Sequence, residues 1–154
     1  FIYNGRTKIF GKQISSRDMR SLVNSIKAKH VIWYSPDQDY GLKQGVMAPF
    51  FGVPAATITA SRRMAKLGDK QNPPAIMALH TYRQTPDNLP KGKRPHYHLT
   101  ITPELDNYPS DDEVADATHV NEVLEGLIRI DPTQWMWFHR RFKNGPNGRT
   151  DIYK

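Results

Sequence analysis

The sequence predicts an α/β fold in which helices flank a mixed, mostly parallel sheet. Residues 19–26 carry apolar side chains at helical spacing, and a short β-branched and aromatic run follows at residues 31–34. Residues 75–82 and 96–102 are two further strand-like runs, and residues 114–130 have the pattern of a long helix. A helix followed by a strand and a polar loop is one half of a βαβ unit, which favours a parallel sheet.

The first predicted helix has start and stop signals of its own. Ser15 or Ser16 can cap it, because a serine oxygen accepts hydrogen bonds from the free amides of the first turn. Cations within residues 27–30 suit the negative end of its dipole. Pro36 then ends the strand predicted at residues 31–34.

The middle of the chain is less regular. Residues 41–54 mix apolar side chains with glycine and proline, so we expect an irregular segment packed on the sheet. Residues 57–67 predict a basic helix. The strands at 75–82 and 96–102 are expected to pair antiparallel, and Asp111 or Asp112 can cap the last helix.

Composition limits the class of protein. The chain has 154 residues, enough for one domain, and no cysteine, which excludes disulfides and cysteine-based metal sites. Its net charge of +7 favours anionic partners such as nucleic acid, phospholipid headgroups or an acidic protein. No apolar run is long enough to span a bilayer, and no signal peptide is present in these residues.

A polar loop follows the strand predicted at residues 31–34. Asp37, Asp39 and Tyr40 lie at the carboxyl end of that strand, where open α/β sheets place their ligands. Two carboxylates one residue apart can share a divalent cation, orient a catalytic base or an arginine, or simply form a turn. The Glu-x-Lys sequence that would complete a nuclease-type metal site is missing, because Glu104 is followed by Leu105 and Asp106.

A second candidate segment covers residues 131–149. Trp135, Trp137 and Phe138 lead directly into a cationic group, which consists of Arg140, Arg141 and Lys143. Guanidinium groups bind phosphate with two parallel hydrogen bonds, so this group can hold an anionic ligand. A solvated basic tail is the alternative, and the tryptophans suit either a protein core or a membrane interface.

Three blocks of sequence together resemble one family. They are WYSPDQDYG at residues 33–41, APFFGVPAATIT at 48–59 and WMWFHRRFK at 135–143. In this order they are similar to the C-terminal half of the lauroyl/myristoyl acyltransferases of lipid A biosynthesis. The resemblance implies one partial domain over residues 1–154 with a glycerolphosphate-acyltransferase-like fold. It also makes the segment at 41–54 a candidate lining for an acyl-chain pocket.

The chemistry of that family rests on a histidine with an acidic residue five positions later, which acts as the general base on the acceptor hydroxyl. None of the six histidines of this sequence has an acidic residue at that spacing. We therefore expect the dyad and the family's N-terminal hydrophobic anchor to lie upstream of Phe1, and the fragment alone to be inactive. A domain whose expression tag was removed is the alternative explanation for a chain that starts at Phe1.

The resemblance also implies roles for the candidate residues. Asp37 matches the first aspartate of the family motif and would support the active site, while Asp39, Tyr40, Arg140, Arg141 and Lys143 would bind substrate. No metal or organic cofactor is implied. The expected partners are acyl-loaded acyl carrier protein, a phosphorylated glycolipid acceptor and the cytoplasmic face of the bacterial inner membrane. A basic nucleic-acid-binding module is the alternative function.

Overall fold

The computed structural model describes residues 2–15, 17–69, 71–84, 89–149 and 152–153. The helices in these residues are α1 (Ile2–Phe10), α2 (Met19–Lys27), α3 (Ala60–Lys66) and α4 (Glu113–Ile128). The strands are β1 (Gly45–Phe50), β2 (Val53–Ile58), β3 (Met77–Arg83), β4 (Tyr97–Glu104), β5 (Asn144–Gly145) and β6 (Gly148–Arg149). Two short 3-10 turns, Pro132–Gln134 and Trp137–His139, follow α4.

The mixed α/β class is confirmed, but the mostly parallel sheet is not. Within the described residues the strands form three separate pairs, β1–β2, β3–β4 and β5–β6, and each pair is antiparallel. Residues 31–34, predicted as a strand, have no strand partner there, and Val31 is 100% exposed. A strand needs a neighbour to satisfy its backbone groups, so this run lies outside the three strand pairs.

Residues 45–58 form a β-hairpin, and the expectation of an irregular segment over 41–54 was wrong. The two-residue turn at Phe51 and Gly52 has positive φ at both positions, 49° and 75°. Positive φ at both central residues matches the twist of a hairpin, and glycine allows it freely. Phe51 is held in this conformation by a 2.6 Å hydrogen bond from its amide to Glu125 Oε1.

The predicted helices are largely confirmed. The N-cap of α2 is Asp18, whose side chain accepts from the Ser21 amide, instead of Ser15; Ser16 lies outside the described residues. The third helix starts at Ala60 and not at residue 57, because residues 57 and 58 belong to β2. Asp112 caps α4, as predicted. The predicted antiparallel pairing of the third and fourth strands is also confirmed.

The core lies between the β1–β2 hairpin, α4 and the segment after α4. Phe50, Ala55 and Ile128 are buried at its centre. Phe51, Leu124, Trp135 and Phe142 pack against them. The Phe50 ring lies 5.6 Å from the Trp135 ring and 5.8 Å from the Phe142 ring, within the range of favourable aromatic contacts. The hairpin therefore joins two segments that are distant in sequence.

A buried ion pair joins α3 to the start of α4. Arg62 Nε lies 2.7 Å from Asp116 Oδ2, and Asp116 Oδ1 accepts from the Ser110 amide at 2.8 Å. Burial alone would raise the pKa of Asp116, but the hydrogen bonds from Ser110 and Arg62 outweigh it and hold this pKa below its ordinary value. The pair fixes the angle at which α3 meets α4.

We expect Asp116→Ala to lower the free energy of unfolding by about 3 kcal/mol, because it leaves Arg62 as an unpaired, largely buried charge. As the folded-state pKa of Asp116 is depressed, its contribution is present above the unfolded pKa and is lost as pH falls through the folded value. Urea unfolding at pH 7 and below about pH 4 measures this difference.

The matched control is Arg129→Gln. It removes the more exposed i,i+4 pair with Glu125, in which the nitrogen and oxygen lie 3.0 Å apart, and we expect it to cost less than about 1 kcal/mol. An Asp116→Ala protein as stable as wild type at pH 7 would contradict a structural role for the pair.

Candidate functional site

Asp39 links the polar loop to the C-terminal segment. Its side chain is buried at 3% exposure. Oδ1 accepts from the Gly41 amide and from Asn144 Nδ2, both at 2.8 Å, and Oδ2 accepts from the Asn144 amide at 2.9 Å. The two hydrogen bonds from Asn144 hold two segments 105 residues apart in fixed contact, and the bond from Gly41 orients the carboxylate within its own loop.

Asp37 and Tyr40 flank that link and are more accessible. Asp37 is half-buried, and its Oδ1 accepts from Ser35 Oγ at 2.7 Å. Tyr40 is exposed, and its hydroxyl donates to Gln38 Oε1 at 3.0 Å. The carboxylate of Asp37 therefore keeps acceptor capacity beyond its bond to Ser35, because an ionised carboxylate has about four acceptor positions.

Arg141 lies in the interior, with 2% of its surface exposed. Nη1 donates to the Ala56 carbonyl at 2.8 Å, and Nη2 donates to Thr57 Oγ1 at 2.9 Å and to Asn121 Oδ1 at 3.3 Å. The guanidinium carbon lies 4.8 Å from the centre of the Phe50 ring, in a cation–π contact. One side chain thus joins β2, α4 and the C-terminal segment.

The electrostatic environment of Arg141 connects it to the polar loop. Burial lowers the pKa of Arg141, and the carboxylates of Asp39 and Asp37 act in the opposite direction. The charges of these two acids therefore favour the charged form of the buried guanidinium. The structure brings the candidate residues Asp37, Asp39 and Arg141 into one electrostatic unit.

Arg140, unlike Arg141, faces solvent. Its backbone is left-handed, with φ 49°, and its side chain is exposed, 6.0 Å from the centre of the Tyr153 ring. Lys143 is half-buried, and its amide donates to the Arg140 carbonyl at 3.1 Å. The reversal at Arg140 places the two adjacent arginines in opposite environments, one in solvent and one in the core.

The geometry divides the residues predicted to bind substrate into two groups. Asp39 and Arg141 are committed to contacts within the protein, which gives both a structural role. Tyr40, Arg140 and Lys143 are reached by solvent. The predicted substrate contact of each of the five residues stays a prediction, since no bound ligand tests it.

The sequence analysis missed residues that complete this unit. Asn121 Nδ2 donates to the Pro49 carbonyl at 2.8 Å and to Thr57 Oγ1 at 2.9 Å, in addition to accepting from Arg141. Asn121 lies between Val120 and the apolar residues 123 and 124 of α4. An amide among apolar neighbours on a helix was the signal that could have identified it, since buried polar groups require partners.

Tyr34 is a second residue that was assigned no function. Its hydroxyl is buried and has no hydrogen-bond partner among the residues described by the structure. Burial raises the pKa of Tyr34, with a further contribution from Tyr40, and Arg63 partly offsets the increase. The phenol thus stays protonated beside the polar loop.

The histidines of β3 and β4 are part of an aromatic stack. Tyr82 lies parallel to His98 across the strand pair, with ring centres 4.9 Å apart, and His80 stacks on Tyr82 at 5.8 Å. In the portion of the chain that the structure covers, no three His, Asp or Glu side chains gather as a metal site would require. The prediction that no metal is needed stays a prediction.

Comparison with known proteins identifies the family. The model of the bacterial lipid A biosynthesis acyltransferases matches residues 1–144. This chain belongs to that family. The matched region of this chain includes all three sequence blocks together with Asp37, Asp39 and the arginine pair at 140 and 141.

Individual relatives agree with this assignment. The chain is 33% identical to the lipid A biosynthesis palmitoleoyltransferase and to the lauroyltransferase of Escherichia coli K12, over 97% of this chain and 45% of each relative. It is 32% identical to a lipid A biosynthesis acyltransferase of Haemophilus influenzae, over 95% of this chain and 44% of the relative. The chain thus spans less than half the length of these relatives.

No solved structure matches this acyltransferase-family chain. Among the helices that the structure describes, none combines the length and apolar character needed to cross a bilayer.

The adjacent arginines provide a matched pair of variants. We expect Arg141→Ala to lower the free energy of unfolding by about 3–5 kcal/mol, because it leaves the buried Asn121 Oδ1 without its Arg141 donor and removes one of the two donors to Thr57 Oγ1. Arg140→Ala should change it by less than about 0.5 kcal/mol, because Arg140 is exposed. Urea unfolding followed by circular dichroism measures both, and equal effects would contradict the assignment of a buried and an exposed arginine.

A second prediction concerns the Asp39 link. Asp39→Ala removes the acceptor of the Asn144 amide, so this amide should exchange with deuterium at least about tenfold faster, and the Gly41 amide should follow. Hydrogen–deuterium exchange with peptide resolution measures the effect. Asp106→Ala, which replaces an exposed acid, is the control and should leave both amides unchanged.

Proposed function

We propose that the intact protein transfers a fatty acyl chain from acyl carrier protein to a hydroxyl of a lipid A precursor. The single observation that supports this proposal most strongly is the convergence of the family's sequence blocks. Asp39 and Asn144 join the loop at 37–41 to the segment after Arg141, and Arg141 in turn binds the hairpin formed by the middle block. Shared geometry of this kind is expected of one reaction centre.

The reaction assigned to this centre is attack of an acceptor hydroxyl on a thioester. A general base removes the hydroxyl proton as the oxygen attacks the acyl carbon, and the carrier thiolate leaves. The histidine–acid dyad that supplies this base in the family has no counterpart at the required spacing in this sequence. Asp37 is then a supporting carboxylate near the reacting groups, and these 154 residues alone are inactive.

The accessible cations suit the proposed substrates. Arg140 and Lys143 lie on one short turn, where they can contact the phosphates of a glycolipid or the acidic surface of a carrier protein. Trp137 and Phe138 are exposed immediately before them. Aromatic side chains next to cations favour the interface of an anionic bilayer, so we place the protein at the cytoplasmic face of the inner membrane.

We further propose that the intact protein completes a glycerolphosphate-acyltransferase-like domain. In that arrangement residues 31–34 join a mostly parallel sheet, and the polar loop that follows them lies at its carboxyl edge. The exposure of Val31 and Trp33 supports this proposal, because apolar side chains of a strand-forming run are expected to be covered in a complete domain.

Exposed Trp137 and the net charge of +7 also suit a nucleic-acid-binding module, in which bases stack on aromatic rings. The two functions differ in their response to salt and detergent. Binding to nucleic acid should weaken steeply with salt and tolerate detergent, whereas binding to a lipid A precursor should be less sensitive to salt and be lost to detergent.

Asp37→Ala in the intact enzyme should lower acyl transfer by about 100-fold, because it removes a carboxylate beside the reacting groups. Its melting temperature should fall only slightly, since Ser35 is the one hydrogen-bond partner of Asp37 among the described residues and the Asp37 charge acts on Arg141 without a salt bridge. Transfer of labelled acyl chains from acyl carrier protein to a lipid A precursor measures activity. Asp106→Ala is the control, and unchanged turnover in Asp37→Ala would refute an active-site role for Asp37.

A further inference from the structure

The outward face of the β3–β4 hairpin is apolar. Its exposed members are Met77, Leu79, Tyr97, Leu99 and Ile101, each between 42% and 71% exposed. The register places Leu79 opposite Ile101, and Leu99 opposite Thr81 on the same face. The side chains therefore form one continuous stripe across both strands.

The opposite face of this hairpin is already occupied. Ala78, His80, Tyr82 and His98 are half-buried, and the Gln134 side chain binds the Arg83 amide and carbonyl, both at 2.7 Å. Half-buried and exposed residues alternate strictly along β3. Such alternation shows that one face of the hairpin packs on the body of the protein while the apolar face has no cover within the described residues.

A second uncovered apolar run lies at residues 31–34. Val31 is fully exposed and Trp33 largely so, although Val-Ile-Trp-Tyr is a strongly strand-forming sequence. Strand propensity without a strand partner is a local conflict, and natural sequences rarely retain such conflicts. The run has the composition of a strand whose partner lies outside the described residues.

The length of the relatives indicates what covers these surfaces. The E. coli palmitoleoyltransferase matches 97% of this chain, but the match covers only 45% of that relative. More than half of its polypeptide therefore has no counterpart here. Large exposed apolar areas on a family member with this coverage are expected to be interior surfaces of the longer protein.

A lipid bilayer fits the β3–β4 face less well. Arg83 lies at one end of the stripe and Glu104 at the other, so the strands themselves have no excess of positive charge. Lys91, Lys93 and Arg94 belong to the connecting loop beyond one end of the strands. Membrane-binding surfaces place cations around the apolar patch, and that arrangement is absent from the strands.

We propose that the outward face of β3–β4 and residues 31–34 together form a docking surface for the remaining polypeptide of the acyltransferase. The occupant is a segment with an apolar face that packs on the Leu79–Ile101 and Thr81–Leu99 pairs. Residues 31–34 become a β-strand when they pair with that segment or with a strand next to it. This inference rests on membership in the family and not on the proposed acyl-transfer activity.

A chimera tests the proposal. The matched region of the E. coli palmitoleoyltransferase is replaced by this chain, and hydrogen–deuterium exchange is compared between the chimera and the chain alone. We expect the amides of residues 31–34 and of β4 to exchange at least about tenfold more slowly in the chimera. The proposal is overturned if these amides exchange equally fast in the chimera and in the chain alone. That outcome covers both a face that stays in water and a chimera that does not fold.

Two variants give a second, independent measurement. Leu99→Lys combined with Ile101→Lys should lower the melting temperature of the chimera and leave that of the chain alone unchanged, because the face is covered only in the chimera. Ile130→Lys, at an exposed apolar position after α4, is the control and should affect neither protein. A double variant that leaves the chimera as stable as its parent overturns the proposal.

The other occupants are outcomes of the same experiment. Binding of the chain alone to phosphatidylglycerol vesicles that the double variant abolishes, without protection in the chimera, identifies a bilayer as the occupant and overturns the proposal. A dimer of the chain that the double variant dissociates, again without protection in the chimera, identifies a second copy as the occupant and also overturns the proposal.

An acyl-transfer assay on the chimera is an independent test. A chimera that is protected from exchange but inactive counts against the proposed function alone.

Discussion

The structure depends on the burial of one positive charge. A guanidinium at 2% exposure is costly unless hydrogen bonds and nearby charge compensate it, and Arg141 obtains both. Its donors reach the backbone of β2 and the side chains of Thr57 and Asn121, and Asp39 contributes an opposing charge. The hydrogen-bond partners belong to the hairpin and α4, so these bonds fix the two elements relative to each other, although Arg141 Nε has no partner among the described residues.

The buried position of Arg141 also explains the arrangement of the candidate site. Asp39 is held by Asn144, three residues after the buried arginine, and Asp37 lies two residues before Asp39. The accessible carboxylate of Asp37 is therefore positioned by its buried neighbour. The accessible cation of Arg140 is positioned by Arg141 in the same way. In each pair one residue anchors the chain in the interior and the other faces solvent, where a substrate could meet it.

The sequence predicted what depends on local pattern. The cap at Asp112, the helix at residues 19–26 and the strands β3 and β4 were found because their signals lie within a few residues of each other. The hairpin at 45–58 was missed, because Pro49 and Pro54 suggested a loop, whereas the register places them opposite each other next to a tight turn. The mostly parallel sheet is not found among the described residues, because residues 31–34 have no strand partner there. Nor does the sequence reveal which arginine is buried, since the left-handed φ of Arg140 decides the direction of both.

The separation of 85 residues between Arg141 and Ala56 has a consequence during translation. The hairpin leaves the ribosome before the arginine is synthesised, so the nascent chain carries Thr57 into water without its Arg141 donor. The contact between the hairpin and Arg141 can therefore form only after the C-terminal segment has been synthesised.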